Sequence, residues 1–373
     1  MSYISNDWDG DQFFDIKDFS HIEFYVGNAK QAAFYYIRSF GFQPFAYCGP
    51  ETGSKNKVSY ILKQNSIYFM LSSALSSNNH ISKWISVHGD GVRDIAFKVG
   101  SSKNAHDSVI SRGGLSNDEY SSIEDSDGFY ETSSVKTYGD TIHSFISDSN
   151  YNGHWAPNFI PWDISINSKN ICGLQKIDHV VGNVEIGKME TWRKYYESSF
   201  GFSTFVKFDE NDISTEYSAL KSVVLRSKNW KIKLPINEPA KGIKKSQIEE
   251  YLDSNCGPGV QHIALTTNDI ISTIKQLRAN DVEFLDVPAS YYDNLRKRVG
   301  SLDEDIGRLK ELKILVDRDE QGYLLQLFTK PLQDRPTLFI EIIQRKGSRG
   351  FGQGNFQALF EAIEKEQEKR GNL

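Results

Sequence analysis

Long apolar runs are missing from this 373-residue chain. No stretch of about 18 apolar residues occurs, so nothing is expected to span a bilayer. The opening segment, "MSYISNDWDGDQFFD", is acidic and has no apolar centre, which argues against a secretion signal. Basic charge is not in excess. The net charge of −6 argues against nucleic acid or an anionic membrane as a general partner. Cysteine is scarce: Cys48, Cys172 and Cys256 are odd in number and far apart. That pattern fits free thiols in a reducing compartment and predicts a cytoplasmic protein. What remains is an ordinary globular composition, 39 % hydrophobic and 25 % charged, with aromatics high at 13 %. The length exceeds one ordinary core and points to two domains.

Two pairs of segments resemble each other. "FSHIEFYVGNAKQAAFYYIRSFGFQPFAY" (19–47) and "IDHVVGNVEIGKMETWRKYYESSFGFSTFVKF" (177–208) both run from a histidine in a β-like stretch through "VGN" and a helical stretch to "SFGF". Ala33, Tyr36, Ile37 and Phe40 have helical spacing, and the glycine of each "FGF" is a suitable helix stop. "GVRDIAFK" (91–98) and "GVQHIALT" (259–266) form the second pair. The simplest reading is a duplicated α+β chain of four β-α-β-β-β modules, beginning near His21, Asp94, His179 and His262. Two modules per half make two similar domains, residues 1–156 and 157–373. The boundary falls in the loop-like "SNYNGHWAPNFIPWD" (149–163). Ser246-x-x-Glu249 predicts a capping box, and Phe356, Leu359, Phe360 and Ile363 predict an amphipathic C-terminal helix. Asn355 is placed to cap that helix, after a flexible "GFGQG" (350–354).

One strand carries a misplaced charge. "TLFIEIIQR" (337–345) is fully apolar around Glu341. A lone buried carboxylate costs several kcal/mol, or its pKa rises until it is neutral, unless something pairs with it. A metal cation is one such partner; a buried Arg or Lys is the other. The second half also holds His179 and His262, whereas their counterparts in the first half are His21 and Asp94, with Ser147 aligned to Glu341. Two imidazoles and one carboxylate are the facial set of non-haem Fe(II) oxygenases. Strict alternation puts His179 on a face with Ile177 and Val181, His262 with Val260 and Ala264, and turns Gln261 away from His262. A hydrogen-bonded structural histidine remains open for each position, and gaps of about 80 residues have little pattern specificity. His21 reads as structural. His80, His88, His106, His143 and His154 are assigned to no metal.

With "IDHVVGN", "PINEPA", "KKSQIEEY", "GPGVQHIAL", "ELKILVD", "GYLLQLFTKPLQDRPTLFIEIIQR", "GFGQGNF" and the terminal "RGNL", the chain resembles the 4-hydroxyphenylpyruvate dioxygenases of the vicinal oxygen chelate superfamily. The resemblance covers essentially the whole chain and is densest from 177 onward. It implies open, curved barrel-like sheets with a C-terminal lid helix, and one Fe(II) per subunit on His179, His262 and Glu341. It also implies substrate contacts from Ser222, Asn237, Gln247, Gln261, Gln326, Phe328 and Phe351, with Phe339 and Asn355 nearby. The implied reaction takes 4-hydroxyphenylpyruvate and O₂ to homogentisate and CO₂, in a homodimer. Two other functions stay open: 4-hydroxymandelate synthase, which shares the substrate, and a metal-free small-molecule binder of the same fold, which would not need Glu341.

Overall fold

A strand, a helix and three further strands recur four times along the chain. The computed structural model describes residues 2–3, 13–164, 171–209 and 218–372, so most of the acidic opening segment and the final residue of "RGNL" lie outside the described residues. The four leading strands are Ile16–Tyr25, Gly91–Val99, Leu174–Asn183 and Gly259–Thr267. Each is followed by a helix: Ala29–Phe40, Ser102–Ile110, Met189–Tyr195 and Ile270–Ala279. His21, Asp94, His179 and His262 all lie in leading strands, as the sequence pattern predicts.

Each half closes into one curved sheet of nine strands. The two leading strands of a half pair antiparallel at its centre, and each also pairs in parallel with the last strand of its own module. The chain crosses between the halves at two places. Ser2 and Tyr3 pair with Lys207 and Val206 of the second sheet. Ile160 and Pro161, within the connecting stretch, pair with Tyr47 and Ala46 of the first.

The helices cover one face of each sheet, and a single apolar core runs behind both. Helix Ala29–Phe40 shows why it forms. Asn28 accepts the Gln31 N–H at its start, Gly41 ends it at φ 74°, and Ala33, Tyr36, Ile37 and Phe40 are buried on one side. Each large aromatic buried this way is worth about 1.5–3 kcal/mol. The expected capping box is present: Glu249 N–H donates to Ser246 Oγ at 3.2 Å, and Ser246 N–H donates to Glu249 Oε2 at 2.7 Å. Among the described residues no helix is long and apolar enough to cross a membrane.

The C-terminal helix runs Phe356–Lys369. Its start differs from expectation. The Asn355 side chain makes no cap bond; its Oδ1 accepts the Tyr291 hydroxyl at 2.6 Å instead. Nor is the preceding loop free. Asp319 accepts Ser348 Oγ–H, Arg349 N–H and Gly350 N–H, and Asp317 accepts Gly354 N–H. Both ends of the loop are thus fastened to the edge strand Leu315–Asp319.

Candidate metal centre

His179, His262 and Glu341 come from three adjacent strands. His179 lies on Leu174–Asn183, His262 on Gly259–Thr267 and Glu341 on Phe339–Lys346. Ala264 is the cross-strand partner of both His179 and Glu341, so one row of the sheet reads His179, Ala264, Glu341. His262 sits one pleat away, between Val181 and Phe339. All three side chains are buried, and one donor atom from each lies within 4.8 Å of the others. Glu341 Oε2 is 3.2 Å from His179 Nε2 and 3.4 Å from His262 Nε2.

Two β-bulges create this convergence. The pairing skips a residue between Ile177 and His179 and again between Val260 and His262. Simple alternation therefore fails here. Ile177 and Val260 face the helix-side core with Val180, Ile263 and Leu265, not the site. The inserted residues, Asp178 and Gln261, turn to the histidines instead. Asp178 Oδ2 is 2.8 Å from His179 Nδ1, and Gln261 Oε1 is 3.0 Å from His262 Nδ1. The expectation that Gln261 points away from His262 is overturned for this reason. With a proton on Nδ1 held by an acceptor, each Nε2 would be free to give its lone pair to a cation seated against Glu341. That is the second contact a metal-binding imidazole ordinarily makes.

The electrostatics fit a cation. Burial pushes the Glu341 carboxyl up, but the two imidazoles outweigh it and hold it at about 2. Burial lowers His262, with net effect downward, while for His179 the pull of Glu341 and Asp178 overcomes burial and raises it. The guanidinium nearest Glu341 in sequence, Arg345, is bound to Asp178. Glu341 is therefore not neutralised by an arginine, the bland explanation for its burial. Among the described residues this is the only cluster of three His, Cys, Asp or Glu donors arranged to hold a metal ion.

A cavity opens over the three donors. It is lined by Ser222, Asn237, Gln247, Gln261, Gln326, Phe328, Phe339 and Phe351 among the expected contacts. Asn355 is not among the lining residues; bound to Tyr291, it sits behind the wall. Ser222 and Asn237 are cross-strand partners, and the buried Gln326 Oε1 has no hydrogen-bond partner among the described residues. The Phe351 ring lies 5.0 Å from His179, and Phe328 lies 6.2 Å from His262. Phe339 stacks on His262 at 4.7 Å and fixes its plane. Phe356, Leu359 and Phe360 of the C-terminal helix close the apolar side.

Sequence reasoning missed Asp178, Lys233 and Arg345. Asp178 was visible in principle, as a charge in an apolar strand directly before a histidine, the same signal that singled out Glu341. Arg345 gave none, because a strand-end arginine is ordinarily solvated.

Among the described residues the first half shows no such centre. His21 is buried with Nδ1 3.1 Å from Ser20 Oγ, and burial lowers it to about 4. Asp94 stands where the second half has His262. The register that pairs Asp94 with Ile142 and Phe97 with Phe145 brings Ser144 level with Ala96, not Ser147, which lies three positions downstream and donates to Gly100 O. Trp155, from the connecting stretch, packs edge-on against His21 at 5.5 Å and fills this face with Tyr68 and Phe45.

The paired modules and the buried donor set define a vicinal oxygen chelate protein. A profile of the Glyoxalase/Bleomycin resistance protein/Dioxygenase superfamily matches residues 176–327. The 4-hydroxyphenylpyruvate dioxygenase of Yarrowia lipolytica is 47 % identical over 371 residues, 96 % of this chain and 94 % of that protein. The enzyme of the same name from Danio rerio is 47 % identical over 95 % of this chain and 92 % of its own length; that from Dictyostelium discoideum is 46 % identical over 96 % and 100 %. The chain belongs to the 4-hydroxyphenylpyruvate dioxygenase family. Among solved structures, a mutant 4-hydroxymandelate synthase from Streptomyces coelicolor superposes with a TM-score of 0.84 at 28 % identity, over 95 % of this chain and 99 % of that one.

Proposed function

We propose that His179, His262 and Glu341 hold one Fe(II) per subunit. The chain converts 4-hydroxyphenylpyruvate and O₂ to homogentisate and CO₂, a step in tyrosine and phenylalanine breakdown. One oxygen atom enters the new carboxylate and the other the ring, and the side chain migrates to the neighbouring ring carbon. The substrate's own keto acid supplies the electrons, so no second keto acid is consumed. Bound on the three side chains, the ion supplies one-electron chemistry with O₂ and a seat for the keto acid.

The remaining roles fall to the cavity wall. Phe328 and Phe351 hold the substrate ring, with Phe339 behind His262. Ser222, Asn237 and Gln247 receive the phenol end. Gln261 orients His262 and, with Gln326, offers polar contacts to the substrate. The C-terminal helix excludes bulk water and opens to admit substrate. Residues 157–373 form the catalytic domain and 1–156 a scaffold that pairs subunits into a homodimer in the cytoplasm. One observation carries the metal assignment: a buried carboxylate faces two imidazole Nε2 atoms, each imidazole held from behind through Nδ1.

Anaerobic titration with Fe(II) and then 4-hydroxyphenylpyruvate tests it. A charge-transfer band is expected on substrate addition, and homogentisate with CO₂ on admitting O₂. The likeness to 4-hydroxymandelate synthase keeps one alternative in view. 4-Hydroxymandelate as the product would replace the proposed reaction, and a protein that binds the keto acid without iron would make it a metal-free binder.

A further inference from the structure

Asp178 lies outside the cavity, bonded through both of its carboxylate oxygens. Its side chain is 2 % exposed. Oδ2 takes His179 Nδ1 at 2.8 Å and Arg345 Nη2 at 2.8 Å; Oδ1 takes Arg345 Nε at 2.9 Å and Lys233 Nζ at 3.0 Å. Arg345 thus grips Asp178 with its two-pronged edge, a geometry lysine cannot reproduce. Its remaining prong, Nη1, donates to Ser348 O at 3.2 Å and Gly350 O at 2.7 Å. The next residue is Phe351, whose ring touches His179 and lines the cavity.

We propose that Asp178 and Arg345 are positioning residues that strap the Ser348–Phe351 loop to His179, so that filling the metal site orders the loop and loosening the loop weakens the metal. This rests on the reading of His179 as a ligand. A cation on Nε2 polarises the Nδ1–H and strengthens its bond to Asp178, which sharpens the seat of Arg345 and so the two loop carbonyls. The loop's other anchor, Asp319, accepts from Ser348, Arg349 and Gly350 and has no bond to either histidine or to Glu341 among the described residues. Because coupling between two binding events is reciprocal, the effect must run in both directions.

The experiment follows amide hydrogen exchange in residues 347–355 of the full chain, with and without Mn(II), which substitutes for air-sensitive Fe(II), alongside the Mn(II) affinity. In the wild type, metal should slow exchange in this segment several-fold. In Arg345→Gln, exchange should be fast and no longer respond to metal, and affinity should fall about 10–100-fold. Arg345→Lys should restore little of either. A merely structural arginine would change exchange equally in both states. The strap is overturned if wild-type exchange ignores bound Mn(II), or if Arg345→Gln keeps the metal-dependent slowing. The wild-type comparison needs no variant, so it decides even where Arg345→Gln fails to fold. Failure of Mn(II) to bind at all would remove the metal site, and the strap with it.

Discussion

His179 and Glu341 stand two strands apart in one row of the second sheet, with only the methyl of Ala264 between them. A larger side chain there would occupy the space over which the imidazole and carboxylate meet. Ala264 is fully buried and packs with Leu324 and Ile343, so added methyls have nowhere to go. Ala264→Val should cost about 1–3 kcal/mol by overpacking and lower metal occupancy at least tenfold. Metal content after dialysis, read beside the melting temperature, checks this. Full occupancy in the variant would show that the row is looser than its register suggests.

His262→Ala and Glu341→Ala should abolish turnover with the fold retained, because each removes one of three donors and leaves the helix-side core intact. His21→Ala should leave metal binding unchanged and affect folding alone, since Trp155 packs on it and it belongs to no group of three metal-binding donors among the described residues. Circular dichroism, metal content and product formation separate these cases. Equal metal loss from His21→Ala would mean the centre lies in the other half.

Ending the chain after Asn355 should depress turnover far more than metal occupancy. Removing Phe356–Lys369 leaves the triad and Phe351 in place but uncovers Phe208, Leu220 and Ile248, which pack with Phe360. Stopped-flow turnover and metal analysis on the same preparation provide the comparison. Unchanged kinetics would reduce the helix to packing.

Asp94 predicts a pH effect remote from the centre. Burial raises its carboxyl from 3.8 to about 7. An acid so raised keeps its proton in the folded state while the unfolded chain loses it, so stability falls as pH rises from about 4 to 7. Asp94→Asn retains an oxygen to accept the Ser144 N–H now bonded to Asp94 Oδ1. The variant should match the wild type near pH 4 and be more stable at pH 8, by up to about 4 kcal/mol. His21 and His143, both lowered to about 4 by burial, act oppositely: they destabilise the fold as pH drops from 6.5 toward 4 in both proteins. Urea titrations at pH 4 and 8 measure the difference, and a constant gap would contradict the protonation argument.

The amino-acid sequence by itself determined the modular order, the helix stops at Gly41 and Gly201, the capping box at Ser246, and the two histidines and one acid of the site. These follow from local period, turn chemistry and the cost of an unpaired buried charge, all of which act over a few residues. Only the tertiary structure decided which side of a strand each residue faces near a bulge. A bulge is set by the partner strand, so nothing local revealed that Ile177 and Val260 turn away while Asp178 and Gln261 turn in. The same holds for Ser144 in place of Ser147, for Asn355 bound to Tyr291, and for Arg345 reaching Asp178 across 167 positions. Those contacts depend on register between strands distant in sequence, and register is fixed by the packed sheet as a whole.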